Sequence, residues 1–255
     1  MPHILVTNDD GIGAPGLEAL AGALSAFAEV TMVAPSGERS GAGHSISVRR
    51  PVACESRGEG RWSVDGTPAD AVIIALHKLL DHKPDLVVSG INHGANVGQN
   101  IHYSGTVGAA LEATVNHIPA FALSVASRKP DCDWGPAARL GVELARLVIE
   151  ERLPDGVMLN VNVPAKWREP GRVRFTRQSE KIIRSLVREE PCASGRAFLL
   201  QELQIPESIE PDSDYAALQA GDATITPLYA HRTHAASLNH LSHLALRLQS
   251  LLEGR

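Results

Sequence analysis

Two adjacent acids, Asp9 and Asp10, follow a short apolar run near the start of the chain. The run, residues 3–8, predicts a buried strand, and Gly11 predicts a tight turn directly after it. Ligands of open α/β sheets bind just beyond the carboxyl ends of the strands. Two carboxylates there, with no Lys or Arg beside them in the sequence, repel each other and raise each other's pKa. A divalent cation is the simplest means of keeping both ionised, so the pair predicts a metal site.

Two further loops carry oxygen-bearing side chains that are expected to meet the acid pair. Ser40 lies in a glycine- and serine-rich loop, residues 36–47, and Asn92 lies in a glycine-rich loop, residues 90–98, after another apolar run. In a parallel sheet the loops after neighbouring strands share one edge, so these side chains converge. Together with the acid pair they offer only oxygen ligands, which suit Mg²⁺, Mn²⁺ or Ca²⁺ rather than Zn²⁺.

An anion site is expected at Ser104, Gly105 and Thr106, where a helix of small residues begins. The first N–H groups of a helix lack intrahelical partners and carry partial positive charge, so a helix start binds phosphate. Two hydroxyls add donors, and Gly105 has no Cβ to keep a phosphate from the backbone. A cation beside such a helix start is typical of phosphoryl chemistry, in which the cation polarises a phosphoryl oxygen and lowers the pKa of a bound water.

Other chemistry-bearing patterns are weaker. The chain has no GxxxxGK[ST] phosphate-binding loop and no GxSxG nucleophile elbow. His231, His234, His240 and His243 form two His-x-x-His pairs. No acid or cysteine accompanies these pairs, and exposed polar positions are the simpler interpretation.

Composition narrows the class of protein further. The 255 residues fit one large domain or two small ones, and the net charge of −5 argues against a nucleic-acid polymer as partner, because that surface needs a basic stripe. Cys54, Cys132 and Cys192 are far apart, which excludes a disulfide framework and a cysteine zinc site. No segment approaches the roughly 18 apolar residues of a membrane span, and the start of the chain lacks the features of a signal peptide. We therefore expect a cytoplasmic protein with no membrane partner.

The apolar pattern predicts an α/β fold. Strands and helices alternate over residues 1–164, with clear helical periodicity at residues 15–27 and 135–151. This alternation predicts a mainly parallel sheet with helices on both faces. We expect a catalytic core over residues 1–165.

The pattern changes in the remaining C-terminal region, residues 166–255. Residues 172–205 alternate weakly between apolar and polar and predict an extended β-hairpin arm. A late strand near Ile225 is expected to rejoin the core, and a terminal helix is expected over residues 234–252. An arm without its own core needs a partner surface, so we expect a homo-dimer or homo-tetramer formed through a swapped C-terminal arm.

Several ordered motifs together resemble the SurE family, the survival-protein nucleotidases. They are residues 6–11 (VTNDDG), 14–16 (APG), 33–35 (VAP), 39–41 (RSG), 66–70 (GTPAD), 89–92 (SGIN), 103–107 (YSGTV) and 160–164 (NVNVP). Residues 166–211 match the family pattern only loosely. The resemblance implies a Rossmann-like α/β core with a swapped C-terminal arm.

The resemblance also implies an activity, the metal-dependent hydrolysis of nucleoside 5'- and 3'-monophosphates, with one divalent ion per subunit and a small-molecule nucleotide as substrate. The implied metal ligands are Asp9, Asp10, Ser40 and Asn92, and the implied substrate pocket adds Asn96, Ser104, Gly105 and Thr106. Metal-activated water is the expected nucleophile, and Asp9 or Asp10 is expected to orient or deprotonate it. Two alternatives stay open: a phosphatase of short polyphosphate or sugar phosphates, and a nucleotide-binding regulatory protein without turnover.

Overall fold

The first strand alternates between two buried faces. The computed structural model describes residues 1–127, 129, 131–167, 171–180, 184–192, 195–203 and 210–253. Within the first strand, Ile4 and Val6 belong to one apolar cluster and Leu5 belongs to another. Burial on both sides with a period of two is typical of a strand in the middle of a parallel sheet. The first strand is therefore covered on both faces.

Nine of the described strands form one sheet. The strands of the described chain are β1 (His3–Thr7), β2 (Glu29–Pro35), β3 (Cys54–Gly58), β4 (Arg61–Val64), β5 (Leu86–His93), β6 (Ala120–Ala126), β7 (Val157–Pro164), β8 (Val173–Phe175), β9 (Arg184–Glu190), β10 (Ala197–Leu203) and β11 (Ala223–Tyr229). The sheet order is β3-β4-β2-β1-β5-β6-β7-β11-β8. Neighbours from β4 to β7 run parallel, whereas β3 and β11 are antiparallel to β4 and β7. The predicted mainly parallel sheet is confirmed.

Helices cover both faces of this sheet. The α-helices of the described chain are α1 (Pro15–Leu24), α2 (Pro68–Ile74), α3 (Gly105–Val115), α4 (Gly135–Glu151), α5 (Asp214–Gln219) and α6 (Ala235–Leu252). Apolar side chains of α1 and α4 pack on the face that contains Ile4, and those of α2 and α3 pack on the face that contains Leu5. The predicted two-sided cover is therefore confirmed.

The C-terminal region divides its strands between two sheets. β9 and β10 form an antiparallel hairpin, as the weak alternation over residues 172–205 predicts. Residues 181–183, 193–194 and 204–205 of that stretch lie outside the described part of the chain. The short β8, at the start of that stretch, instead pairs with β11 at the edge of the main sheet. The hairpin and the terminal helix of the prediction are both present. No helix among the described residues is both long and apolar enough to span a membrane.

Candidate functional site

The sheet order places a ligand crevice beside the acid pair. β1 has β2 on one side and β5 on the other, so the order of the strands reverses at β1. Open α/β sheets bind ligands at such a switch point, beyond the carboxyl ends of the strands. A cavity of about 840 Å³ lies there. Its walls include six of the predicted site residues: Asp9, Asp10, Ser40, Asn92, Asn96 and Ser104.

The turn after β1 is held by Asn8. Its side-chain Nδ2 donates to the carbonyl of Gly11 at 3.0 Å, and its Oδ1 accepts from the N–H of Gly11 at 3.1 Å. Gly11 has a φ of +104°, which favours glycine, and a Cβ there would lie 3.1 Å from the Cα of Gly37. The carbonyl of Asp9 accepts from the N–H of Arg39 at 2.7 Å. This hydrogen bond holds the loop that carries Ser40 against the turn that carries Asp9 and Asp10.

The glycines after the acid pair complete this turn. Gly11, Gly13 and Gly16 have the GxGxxG spacing of dinucleotide-binding turns. A Cβ on Gly16 would lie 2.1 Å from the carbonyl oxygen of Ile91, so this glycine allows α1 to approach β5 closely. Because two carboxylates precede the turn, a pyrophosphate would meet negative charge there in the absence of a cation.

Asp9 is a buried acid with one fixed oxygen. Its side chain is 5% exposed, and its Oδ1 accepts a hydrogen bond from Oγ1 of Thr106 at 2.6 Å. Burial raises the pKa of Asp9 to about 6, and the charge of Asp10 adds to that increase. A Cβ on Gly105 would lie 2.8 Å from the Cβ of Asp9, so a glycine is required there. Gly105 and Thr106 therefore lie behind Asp9 rather than on the cavity wall.

Asp10 is half-buried and more exposed than Asp9. Its Oδ2 accepts a long hydrogen bond, 3.4 Å, from the N–H of His93. Burial raises the pKa of Asp10, and the charge of Glu38 raises it further. Among the described residues no Lys or Arg contributes to the electrostatics of either acid. The charge of His93 lowers the pKa of Asp10, and the pair carries negative charge that no Lys or Arg among the described residues balances.

Ser40 is exposed on the loop after β2, and its hydroxyl donates to Oε1 of Glu38 at 2.8 Å. Glu38 also lines the cavity, which makes it a third carboxylate of the site. Glu38 was not predicted as a site residue, although it lies two residues before Ser40 in the same polar loop.

Asn92 reaches the cavity through an irregularity in β5. The pairing of β5 with β6 shifts between Ser89 and Asn92, as at a β-bulge, which re-aims side chains. Gly90 has a φ of +147° there, and a Cβ on it would lie 2.3 Å from the carbonyl oxygen of Leu123. The Nδ2 of Asn92 donates to the carbonyl of Gly94 at 2.7 Å. This bond orients the amide and leaves its Oδ1 for a ligand.

Asn96 is buried and tied to the next two strands of the sheet. Its backbone N–H donates to Oδ1 of Asn162 at 2.8 Å, and its carbonyl accepts from Nδ2 of Asn160 at 2.8 Å and of Asn162 at 3.0 Å. Its own Nδ2 donates to the hydroxyl of Ser124 at 3.0 Å. Asn160 and Asn162 were not selected as site residues from the sequence, although two asparagines on one side of a buried strand are an unusual signal.

Ser104 begins α3 at the cavity wall. Its Oγ accepts from the N–H of Val107 at 3.1 Å, which makes it the N-cap, and its side chain is only 7% exposed. The first turn of α3 keeps further N–H groups without intrahelical partners. The predicted helix start therefore lies in the same cavity as the acid pair.

The short helix α5, in the C-terminal region, lines another part of the cavity. The carboxylate of Asp214 is fully buried and accepts from the N–H groups of Gly98 at 3.0 Å, Ser179 at 3.0 Å and Tyr215 at 2.7 Å. These bonds bring α5 against the glycine-rich loop after β5. Tyr215 and Leu218 of α5 line the cavity, and neither was predicted as a site residue from the sequence.

The residues present fit a hard divalent cation better than a soft one. Among the described residues no cluster of three His, Cys, Asp or Glu side chains is arranged to hold a metal. The site instead offers two adjacent carboxylates, a hydroxyl and an amide oxygen within one cavity. Such oxygen donors suit Mg²⁺ or Mn²⁺.

The fold and the site together define a doubly wound α/β protein with an oxygen-rich acid site at the switch point of its sheet. Comparison with known proteins assigns the chain to a family. The chain belongs to the SurE family, since the family model described as "Survival protein SurE" matches residues 4–185.

Relatives of this family match nearly the whole chain. A protein of Pelobacter propionicus named 5'-nucleotidase SurE is 42% identical over 238 residues, which cover 92% of this chain and 96% of that protein. The protein of the same name from Geobacter sulfurreducens is 40% identical over 242 residues, with 94% and 92% covered. The crystal structure of SurE from Aquifex aeolicus superposes with a TM-score of 0.85 at 33% identity, covering 96% of this chain and 100% of that one.

Proposed function

We propose that this protein is a divalent-metal-dependent phosphomonoesterase that hydrolyses nucleoside 5'-monophosphates, and also 3'-monophosphates, to nucleoside and phosphate. One observation carries the proposal: the Asp9–Asp10 pair shares a cavity at the switch point with the N-cap of α3. The relatives named 5'-nucleotidase SurE support the choice of nucleotides as the substrate class.

Asp9, Asp10, Ser40 and Asn92 would hold one cation per subunit, Mn²⁺ or Mg²⁺ in solution and Ca²⁺ where that ion is abundant. A bound cation supplies charge neutralisation of a phosphoryl oxygen and a lower pKa for a coordinated water. Thr106 fixes one oxygen of Asp9 and thereby orients the other. The bond from Ser40 to Glu38 turns the hydroxyl hydrogen towards Glu38 and leaves the lone pairs of Oγ for the cation.

The phosphoryl group is bound at the start of α3. The hydroxyl of Ser104, which lines the cavity, would donate to it, and the positive end of the helix dipole would stabilise its negative charge. Asn96 is held rigidly by Asn160 and Asn162 and keeps the glycine-rich loop against this position. These groups place phosphorus beside the acid pair.

The reaction breaks the bond between phosphorus and the ester oxygen of the nucleoside. Water attacks phosphorus and passes one proton to a carboxylate, and the carboxylate returns that proton to the nucleoside oxygen as its bond to phosphorus breaks. Asp10 orients this water, because Oδ1 of Asp9 is already engaged by Thr106 and because Asp10 is the more exposed of the two acids.

The test is phosphate release from AMP with added Mn²⁺, repeated after EDTA treatment. Phosphate release from AMP should be abolished by EDTA and restored by Mn²⁺. A panel of 5'-AMP, 3'-AMP, ribose 5-phosphate and short polyphosphate then ranks the substrates. Faster turnover of polyphosphate or of ribose 5-phosphate than of both nucleotides would assign the alternative phosphatase activity. Nucleotide binding with no phosphate release would assign a regulatory protein.

A further inference from the structure

The cavity has two chemically different walls. The acid wall is formed by Asp9, Asp10 and Glu38, and the aromatic wall is formed by Tyr103 with Tyr215 and Leu218 of α5. Cavities of roughly 300–1,000 Å³ hold ligands much larger than a phosphoryl group. At about 840 Å³ this cavity has room for a whole nucleotide. The proposed hydrolysis accounts for the acid wall and leaves the aromatic wall without a role.

Tyr103 is an exposed ring on a fixed backbone. Its N–H donates to the carbonyl of Asn100 at 3.0 Å, and its carbonyl accepts from the N–H of Gly43 at 3.0 Å. Its side chain is nevertheless 64% exposed. It directly precedes Ser104, the expected phosphate anchor. A rigidly mounted tyrosine offers a large contact area at a low cost in conformational entropy.

One buried side chain fastens both parts of the aromatic wall. Asp214 accepts from the N–H of Gly98, the first residue of the 3₁₀ turn Gly98–His102 that leads to Tyr103. The same carboxylate accepts from the N–H of Tyr215. The turn before Tyr103 and the start of α5 are thus held together, so the aromatic wall is a built feature of the fold.

We propose that the aromatic wall receives the nucleobase of the substrate, with the base stacked on the ring of Tyr103. This inference rests on the nucleotidase function proposed above and adds the group that distinguishes nucleotides from other phosphomonoesters. Stacking tolerates every base because every base has a π-face. Tyr103 therefore selects nucleotides as a class over phosphomonoesters that lack a base.

The experiment compares AMP with ribose 5-phosphate, which has the same phosphate and sugar without the base. In Tyr103→Ala, kcat/KM for AMP falls about tenfold, within the range for loss of one base–aromatic stack, and the change lies mainly in KM. In the same variant, kcat/KM for ribose 5-phosphate stays unchanged. Tyr103→Phe keeps the ring and retains the wild-type preference. Tyr229→Ala is the matched control, since Tyr229 is 59% exposed and lies outside this cavity.

Equal losses on both substrates in Tyr103→Ala, or no loss on AMP, overturn the proposal. Adenosine binding, measured by calorimetry without metal, separates this proposal from the hydrolytic one. Tighter binding of adenosine to the wild type than to Tyr103→Ala supports base stacking even if no phosphate is released. Equal binding overturns it. Circular dichroism and melting curves check that each variant is folded.

Discussion

The hydroxyl of Thr106 donates a hydrogen bond of 2.6 Å to Oδ1 of Asp9, and both side chains are buried. Hydrogen bonds to ionised carboxylates are short and about twice as strong as neutral ones. This bond fixes one oxygen of Asp9, so the position of the other is set by α3 rather than by a flexible loop. Thr106 thus supports the acid pair from behind.

Replacing Thr106 with Val should weaken metal binding. The substitution keeps the shape of the side chain and removes its donor, so Oδ1 of Asp9 is left buried without that partner. Loss of such an outer partner typically lowers metal affinity or activity 10- to 100-fold, and the unpaired group should cost about 1–3 kcal/mol of stability. Mn²⁺ titration followed by electron paramagnetic resonance checks the affinity. Thr106→Ser keeps the hydroxyl and should bind Mn²⁺ like the wild type, and wild-type affinity in Thr106→Val would contradict the assigned role.

Asp9→Asn should abolish turnover without unfolding the protein. It removes a charged ligand but also removes a buried negative charge beside Asp10, so the metal-free fold should be as stable as the wild type or more so. The loss in kcat/KM for AMP should exceed the roughly 100-fold upper value typical of outer-shell partners. Asp81→Asn, at an exposed acid outside the cavity, is the matched control. Full activity of Asp9→Asn at low Mn²⁺ would refute the site assignment.

The raised pKa of Asp9 predicts how stability depends on pH. Burial raises that pKa to about 6 in the metal-free protein, whereas an unfolded Asp titrates near 3.9. Between these values the folded state binds the proton and the unfolded state does not. The contribution of Asp9 to stability is therefore full below about pH 4 and is lost as the pH rises through about 6, by up to about 3 kcal/mol.

Metal binding should reverse this loss, because the cation binds the ionised form and protons compete with it. The increase in Tm on adding MnCl2 should consequently be larger near pH 7 than near pH 5. Differential scanning calorimetry at both pH values, with and without metal, gives the comparison. In Asp9→Asn the increase in Tm should be small at both pH values. A metal-induced increase that is larger near pH 5 in the wild type would run against this prediction.

Much of the core could be predicted from the sequence, because a buried helix or strand repeats its apolar residues at a characteristic spacing. The predicted helix at residues 135–151 is found as α4 (Gly135–Glu151), and the first strand is found with its two buried faces. β3 (Cys54–Gly58) was not predicted, since it is largely exposed, has no apolar period and depends on pairing with β4. α5 has six residues, too few to show helical periodicity.

The candidate site also has a part that the sequence predicts and a part that it does not. Topology alone brings Asp9, Ser40 and Asn92 to one sheet edge, so their meeting is predictable from a parallel sheet. The position of Thr106 behind Asp9 depends on how α3 packs against the end of β1, which no local pattern encodes. The contribution of α5 depends on Asp214, two of whose hydrogen-bond partners, Gly98 and Ser179, are distant in sequence.

The terminal helix predicts how copies of this chain associate. Leu241, Leu244, Leu248 and Leu251 recur at spacings of three and four residues along α6, as in the seam of a coiled coil, and their side chains are 48%, 43%, 59% and 66% exposed. Such a seam needs a partner, so we expect the homo-dimer or homo-tetramer to form through the C-terminal region.

The double substitution Leu241→Arg with Leu248→Arg would bury charge in that interface. It should shift the mass measured by light scattering towards the monomer. Leu246→Arg is the control, because Leu246 is 74% exposed and lies off the seam. A monomeric wild type, or equal dissociation in the control, would rule out this mode of assembly.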